Sequence, residues 1–211
     1  MMLWTNGERR IPIGIKVWRK GKSSKMVLAS KLLRWAKRLE LTPEYVIFDS
    51  WYSAKPLLQQ IQSYGWHYIT RIKKNRNLNG KSLKQYWPHR YGHGIGCLAG
   101  NLKVLVVKDG SRYLATNHLS LSIQQVKLLY TLRQQIEEAF KILKNQLAWG
   151  KSPAHTATSQ IAHLHLCLIA FSVLQHHAVV ANTTPYEFRR CLFRQAIPSY
   201  PHLFQPFINA A

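Results

Sequence analysis

The 211 residues are 46% hydrophobic and 18% charged, a balance that can bury a core and excludes a disordered chain. Lys and Arg number 30 against 8 Asp and Glu, a formal charge of +22. So basic a chain repels itself unless a polyanion is near, which makes nucleic acid the first expectation; composition alone leaves a ribosomal or architectural binder open.

Met1-Met2-Leu3-Trp4 has no charged n-region and apolar h-region, so no signal peptide is expected. Cys97, Cys167 and Cys191 are odd in number, far apart and form no C-x-x-C pair. They read as reduced thiols of an intracellular protein. Asn6-Gly7 predicts a hairpin turn, after which Ile11, Ile13, Ile15 and Val17 alternate with the strand period. The basic loop from Arg19 to Lys25 holds serines placed to cap a helix. That helix, Met26 to about Leu39, is expected to bury Leu28, Leu32, Trp35, Ala36 and Leu39. Tyr45-Val46-Ile47-Phe48 reads as a strand covered on both sides, with Asp49 immediately beyond it. Ligand-binding groups sit just past strand ends in open α/β sheets, and an Asp there equally caps a turn. A helix from Ser53 to Ser63 and a strand from Trp66 to Ile72 complete a strand-helix-strand unit.

Lys73-Lys74-Asn75-Arg76-Asn77 is a basic, polar loop suited to phosphate contacts. Tyr91-Gly92-His93-Gly94-Ile95-Gly96 lacks the full dinucleotide spacing and a following helix, and reads as a turn. Leu102 to Lys108, the Asp109-Gly110 turn and Arg112 to Thr116 form a hairpin ahead of a helix that starts near Ser122. From Tyr130 to Lys144 there is no Gly or Pro, and apolar residues recur at Leu129, Leu132, Ile136, Phe140, Leu143 and Leu147. At about 100° per residue, Arg133, Glu137 and Lys144 fall within roughly 60° of Tyr130, beside the apolar stripe. Glu137 is then expected at the rim of a core, where a carboxylate between an Arg and a Lys suits a metal near phosphates. A solvated face of paired charges is the other reading. Ile161 to Val180 reads as a buried core helix, since its best apolar run, Leu164 to Leu174, is far short of the ~20 residues a membrane span needs. His163 and His165 point about 200° apart on it, and the zinc spacings are absent. The tail, 182–211, mixes Pro185, Pro198, Pro201 and Pro206 with Phe188, Phe193, Phe204 and Phe207.

The spacing of Tyr130, Arg133, Glu137 and Lys144 resembles the Y-R-E-K signature of the DDE transposases of bacterial insertion sequences, with all four positions matched. Asn6 to Pro12, Phe48-Asp49-Ser50-Trp51-Tyr52-Ser53 and Tyr113 to Asn117 are similar to segments of the same family in the same order. The resemblance runs over roughly residues 3 to 180. It implies an α/β fold with a ribonuclease-H-like core over 1–181, interrupted by a β-rich insertion at about 73–117, and a separate tail. It further implies that Asp49 is the second catalytic carboxylate and Glu137 the third. With a first Asp these hold two divalent metals, Mg²⁺ or Mn²⁺, for in-line attack on phosphodiester bonds. Tyr130, Arg133 and Lys144 would contact transposon-end DNA, and the loop residues Lys73, Lys74 and Arg76 join them as DNA-binding candidates. The implied partners are double-stranded DNA, both transposon ends and target, and another transposase subunit, with no membrane. The implied location is the bacterial cytoplasm, in association with the nucleoid.

One departure stands out. No Asp precedes Asp49, and Glu8 and Asp109 lie in turns where neither substitutes for the family's first carboxylate. The chain is therefore expected to be N-terminally truncated. It is either an enzyme fragment needing its missing strand or a catalytically dead DNA-binding remnant that interferes with full-length transposase or does nothing. A different kind of protein, a basic RNA binder, finds no RNP-type aromatic motif to support it.

Overall fold

The Asn6-Gly7 turn closes β1 (Met2–Thr5) and β2 (Arg10–Gly14) into an antiparallel hairpin. The Asn6 carboxamide oxygen accepts from the backbone N–H of Glu8 at 3.2 Å and of Arg9 at 2.8 Å. Gly7 takes φ +98°, which costs a residue without a Cβ nothing. The computed structural model describes residues 1–98 and 101–199, so Pro201, Phe204, Pro206 and Phe207 of the tail lie outside the described residues.

Helix α1 (Lys25–Arg38) starts where the Ser24 hydroxyl accepts from the Val27 N–H at 3.2 Å. It buries Leu32, Leu33 and Ala36, whereas Trp35 and Leu39, expected inside, are exposed. Trp35 sits about 100° from the centre of the buried stripe, and Leu39 is the C-cap, past the last turn.

Strand β3 (Tyr45–Phe48), helix α2 (Lys55–Ser63) and strand β4 (His67–Ile72) form the expected parallel unit, with Tyr45 opposite His67 and Phe48 opposite Thr70. Helix α2 buries Leu57, Leu58 and Ile61 and lies against β4. Both faces of β4 are covered, since Ile69 on one and Tyr68, Thr70 and Ile72 on the other are buried. Strand β3, expected to be covered on both sides, is only half-buried, because it forms one edge of its sheet.

The next stretch supplies β5 (Asn77–Leu78), β6 (Lys81–Ser82), the short α3 (Leu83–Tyr86), β7 (Tyr91–Leu98), β8 (Leu102–Asp109) and β9 (Arg112–Thr116). These extend a single mixed sheet in the order β3-β4-β9-β8-β7-β5-β6, parallel only at β3–β4. The glycine-rich segment expected to turn is instead the eight-residue strand β7. Gly92, Gly94 and Gly96 alternate on its inner face because Trp87 and Leu78 fill the space a side chain would need. A Cβ on Gly96 would stand 2.7 Å from Leu78 Cγ and 2.9 Å from Asn79 Nδ2.

Helix α4 (Ile123–Thr131) begins with a capping box, Ser122 with Gln125, and buries Val126. Val126 joins Ile69, Leu105, Val107 and Leu114 in one core, with Tyr130 and Leu129 packed against it. The helix expected to run unbroken to Lys144 stops here. Leu132 and Arg133 form a turn whose N–H groups donate to Leu129 O and Tyr130 O, both at 3.1 Å, before α5 (Gln134–Gln146) resumes. The Thr131 hydroxyl donates to Leu128 O at 2.6 Å, a local bond that competes with the helical ladder.

After α5 come α6 (Ala157–Val180) and α7 (Pro185–Ser199). By length and composition α6 is apolar enough to cross a membrane, with a mean hydropathy of 1.5. Here one face of it is buried, with Cys167, Leu168, Phe171 and Leu174 packed on Ala139, Ile142 and Leu143 of α5. The opposite face exposes Leu166, Ile169, Val173 and Val180, so the expected core helix is buried along one side only.

Contacts gather in two compact units: Met1–Ile15 together with the chain from Gln135 onward, and Lys16–Gln134. The first holds the β1–β2 hairpin with α5, α6 and α7; the second holds the seven-stranded sheet with α1 to α4.

Gly96→Ala should destabilise the protein by about 1–3 kcal/mol, the usual cost of overpacking against a residue that cannot move, here the fully buried Leu78. Gly150→Ala, with nothing within 4 Å of the added carbon, should change stability by less than about 0.5 kcal/mol. Urea unfolding of the two variants against the parent measures both.

Candidate functional site

Because β3 and β4 run parallel, their carboxyl ends open on the same side, and the residues just beyond each become neighbours. Beyond β3 is Asp49; beyond β4 is the Lys73-Lys74-Asn75 loop. They share an open basin of about 660 Å³ that also takes in Trp51, Arg71 and Ser111. The basin therefore sets one carboxylate among the cations of Arg71, Lys73 and Lys74.

Asp49 serves the turn as well as the basin. Its Oδ1 accepts from the Ser50 N–H at 2.6 Å and caps the 3₁₀ turn Ser50–Tyr52. The Ser53 hydroxyl closes that turn from the other end by donating to Ser50 O at 2.9 Å. Among the described residues Asp49 makes no ion pair. Asp109 behaves differently: it pairs with Lys127 at 3.0 Å and Arg112 at 3.1 Å. The Lys127 hydrogen bond, foremost, holds its carboxyl below the usual range.

Tyr130, at the end of α4, is half-buried on the sheet core, with the Arg133 guanidinium 5.9 Å from its ring centroid. Burial pushes its phenol up; Arg133 opposes this, and the negative charge of Asp49 adds to it. Asp49, Tyr130, Arg133, Lys73 and Lys74 thus all belong to the Lys16–Gln134 unit, and the charge of Asp49 acts on the Tyr130 phenol.

Glu137 and Lys144 belong to the other unit. Seven residues apart on α5, they share one face, and both are exposed. Glu137 is therefore not at the rim of a core as expected. The break at Leu132–Arg133 also removes the continuous helical phase that was to align it with Tyr130. Its neighbour Glu138 pairs with Lys141 at 2.8 Å, which holds the Glu138 carboxyl below its usual range.

Arg76 is half-buried, does not line the basin, and acts electrostatically on the buried Tyr68 phenol. Two basin residues, Arg71 and Trp51, were not picked out from the sequence. Arg71 was hidden inside a strand, where alternation would have marked it as the one exposed position of β4 between two buried ones. Trp51 lies in the segment Phe48 to Ser53, yet nothing in the local pattern says whether an indole next to a turn faces in or out.

The two divalent ions implied by the resemblance find no complete ligand set among the described residues. Among the described residues no three His, Cys, Asp or Glu side chains come together in a way that could hold a metal. The cations of Arg71, Lys73 and Lys74 around Asp49 favour an anion there.

No curated protein matches this chain. Among solved structures it is similar to the piggyBac transposase in a synaptic complex with hairpin DNA, determined by cryo-EM, at 11% identity and a TM-score of 0.49. That match covers 83% of this chain and 40% of the other, so the chain spans well under half the length of that relative. The family model described as the transposase DDE domain matches residues 1–173. With most of its length under that match, the chain belongs to the transposase DDE domain family.

Proposed function

We propose that this chain is part of an insertion-sequence transposase, with a ribonuclease-H-like core, that works on double-stranded DNA in the bacterial nucleoid. The observation that carries this is Asp49, just past a parallel strand, in a basin whose other charged residues are Arg71, Lys73 and Lys74. Family membership supports it, as do the Tyr130, Arg133, Glu137 and Lys144 spacing and the +22 charge. On this reading Asp49 and Glu137 take the places of the second and third carboxylates. Arg71, Lys73 and Lys74 bind phosphates at the basin, and Arg133 and Lys144 bind transposon-end phosphates with Tyr130.

The family generally uses divalent metals such as Mg²⁺, and two ions need a carboxylate that bridges them. Within these 211 residues no Asp precedes Asp49, so the acidic set is incomplete in this chain. The chain alone is then a DNA binder rather than a nuclease. On this reading these residues either act with an Asp-bearing strand supplied from outside them or compete with full-length transposase for DNA.

The purified chain should bind duplex DNA with little sequence preference, with log K falling by roughly 0.9 per log salt for each phosphate contact. Lys73→Gln and Lys74→Gln should each lower that slope by about 1. A flat salt titration would sink the reading.

The chain as it stands should neither nick nor join transposon-end DNA in Mg²⁺ or Mn²⁺. Supplied with a strand that carries the family's first Asp and with a DNA-binding region, it should cleave. That cleavage should vanish with Asp49→Asn or Glu137→Gln and survive Glu138→Gln, whose side chain serves an exposed ion pair. Metal-dependent cleavage by the unmodified chain, lost in Glu137→Gln, would overturn the account of the incomplete site.

A further inference from the structure

Trp51 is the most exposed of the large hydrophobic residues among those described, at 72%, yet its backbone is tightly held. The Asp49 cap, the Tyr52 N–H donating to Asp49 O at 3.0 Å and the Ser53 hydroxyl on Ser50 O fix the turn that carries it. An indole kept in solvent by an ordered turn contributes little to folding, since its apolar area stays wet. Two ammonium groups stand over its ring: Lys25 Nζ at 5.4 Å and Lys73 Nζ at 5.8 Å from the centroid. Lys25 also lies 5.2 Å from the ring of Trp18, itself 48% exposed. Lys73 and Trp51 both line the Asp49 basin.

A flat aromatic face bordered by cations matches one repeating ligand chemistry, a planar base with phosphates on either side. A paired base inside a duplex has both faces covered by its neighbours and offers none to an indole. The ligand that fits is an unpaired base at a frayed or single-stranded site. An exposed ammonium is held only weakly over an indole, so a phosphate can draw it aside and leave the ring to the base.

We propose that Trp51 is a stacking platform for an unpaired nucleobase beside Asp49, with Lys25 and Lys73 binding the phosphates that flank that base. The proposal rests on the DNA-binding reading above and deepens it by naming the form of DNA that the basin takes.

The test measures binding of the 211-residue chain, by fluorescence anisotropy at fixed salt, to a labelled twelve-residue oligothymidine and to a long blunt duplex. Trp51→Ala should weaken single-strand binding about tenfold or more. Duplex binding should stay within about twofold, and Trp35→Ala, another exposed indole, should leave both unchanged. Lys25→Gln and Lys73→Gln should each reduce the salt slope for the single strand by about 0.7. Trp51→Phe guards against a folding defect: it should keep most of the single-strand affinity while losing the quenching of tryptophan emission that oligothymidine causes in the parent. If Trp51→Ala weakens both DNA forms equally or neither, or if Trp51→Phe leaves the quenching intact, the platform is wrong and the DNA-binding reading stands. If the parent binds neither DNA, both fall together.

Discussion

The parallel pairing of β3 with β4 is the constraint from which the candidate site follows. Parallel strands cannot be joined by a tight turn, so the chain must cross back over the sheet. Helix α2 does this with Leu57, Leu58 and Ile61 buried. With Phe48 held opposite Thr70, the chain leaves β3 at Asp49 and β4 at Lys73 on the same side of the sheet. Each residue of register is worth about 3.3 Å. A slip of two residues, which keeps the buried faces of β4 buried, would carry Asp49 away from Arg71, Lys73 and Lys74. The antiparallel pairing of β4 with β9, Ile69 opposite Thr116, pins the register from the other side.

What this geometry gathers is an excess of positive charge around one acid. The two Asp residues of the chain show how context divides their roles. Asp109 sits in a hairpin turn and is spent on Arg112 and Lys127, which lower its affinity for a proton and leave it a structural anion. Asp49 gives one oxygen to a backbone N–H and makes no ion pair among the described residues. It lines the basin together with Arg71, Lys73 and Lys74, so an incoming phosphate meets those cations beside it. Exposed charges of this kind are screened over about 8 Å at physiological salt, so the basin acts on what enters it, and long-range attraction comes from the whole basic chain.

The parts legible in the sequence were those set by short-range chemistry. Asn6-Gly7 fixed one hairpin and Asp109-Gly110 the other, and the run Tyr45 to Phe48 followed by a helix and a strand yielded the β3–β4 unit. Segments decided by distant partners were misread. Alternating glycines look like a turn until Trp87 and Leu78 are known to fill the space above them, where a Cβ on Gly92 or Gly96 would come within 3 Å. The break between α4 and α5 involves neither Gly nor Pro; two i to i−3 bonds and the Thr131 hydroxyl make it, and periodicity carries no trace of them. That break also explains why the spaced signature was readable while its geometry was not. The predicted alignment of the four positions depended on an unbroken helical phase, and Leu132 and Arg133 interrupt it with i to i−3 bonds.

The turn after β3 ties two functions to one side chain. The Asp49 carboxylate supplies the acceptor that orders Ser50–Tyr52, and that order is what holds Trp51 out in solvent. Asparagine keeps an oxygen acceptor at the same place, so Asp49→Asn removes the charge and leaves the turn. Alanine removes the charge and the cap together, and a lost cap costs about 0.5–2 kcal/mol locally. Loss of function in an alanine variant would therefore mix electrostatics at the basin with a loosened Trp51. Comparing the two substitutions separates what the carboxylate does as an anion from what it does as a fixed point of the backbone, the two readings of Asp49 that the sequence left open.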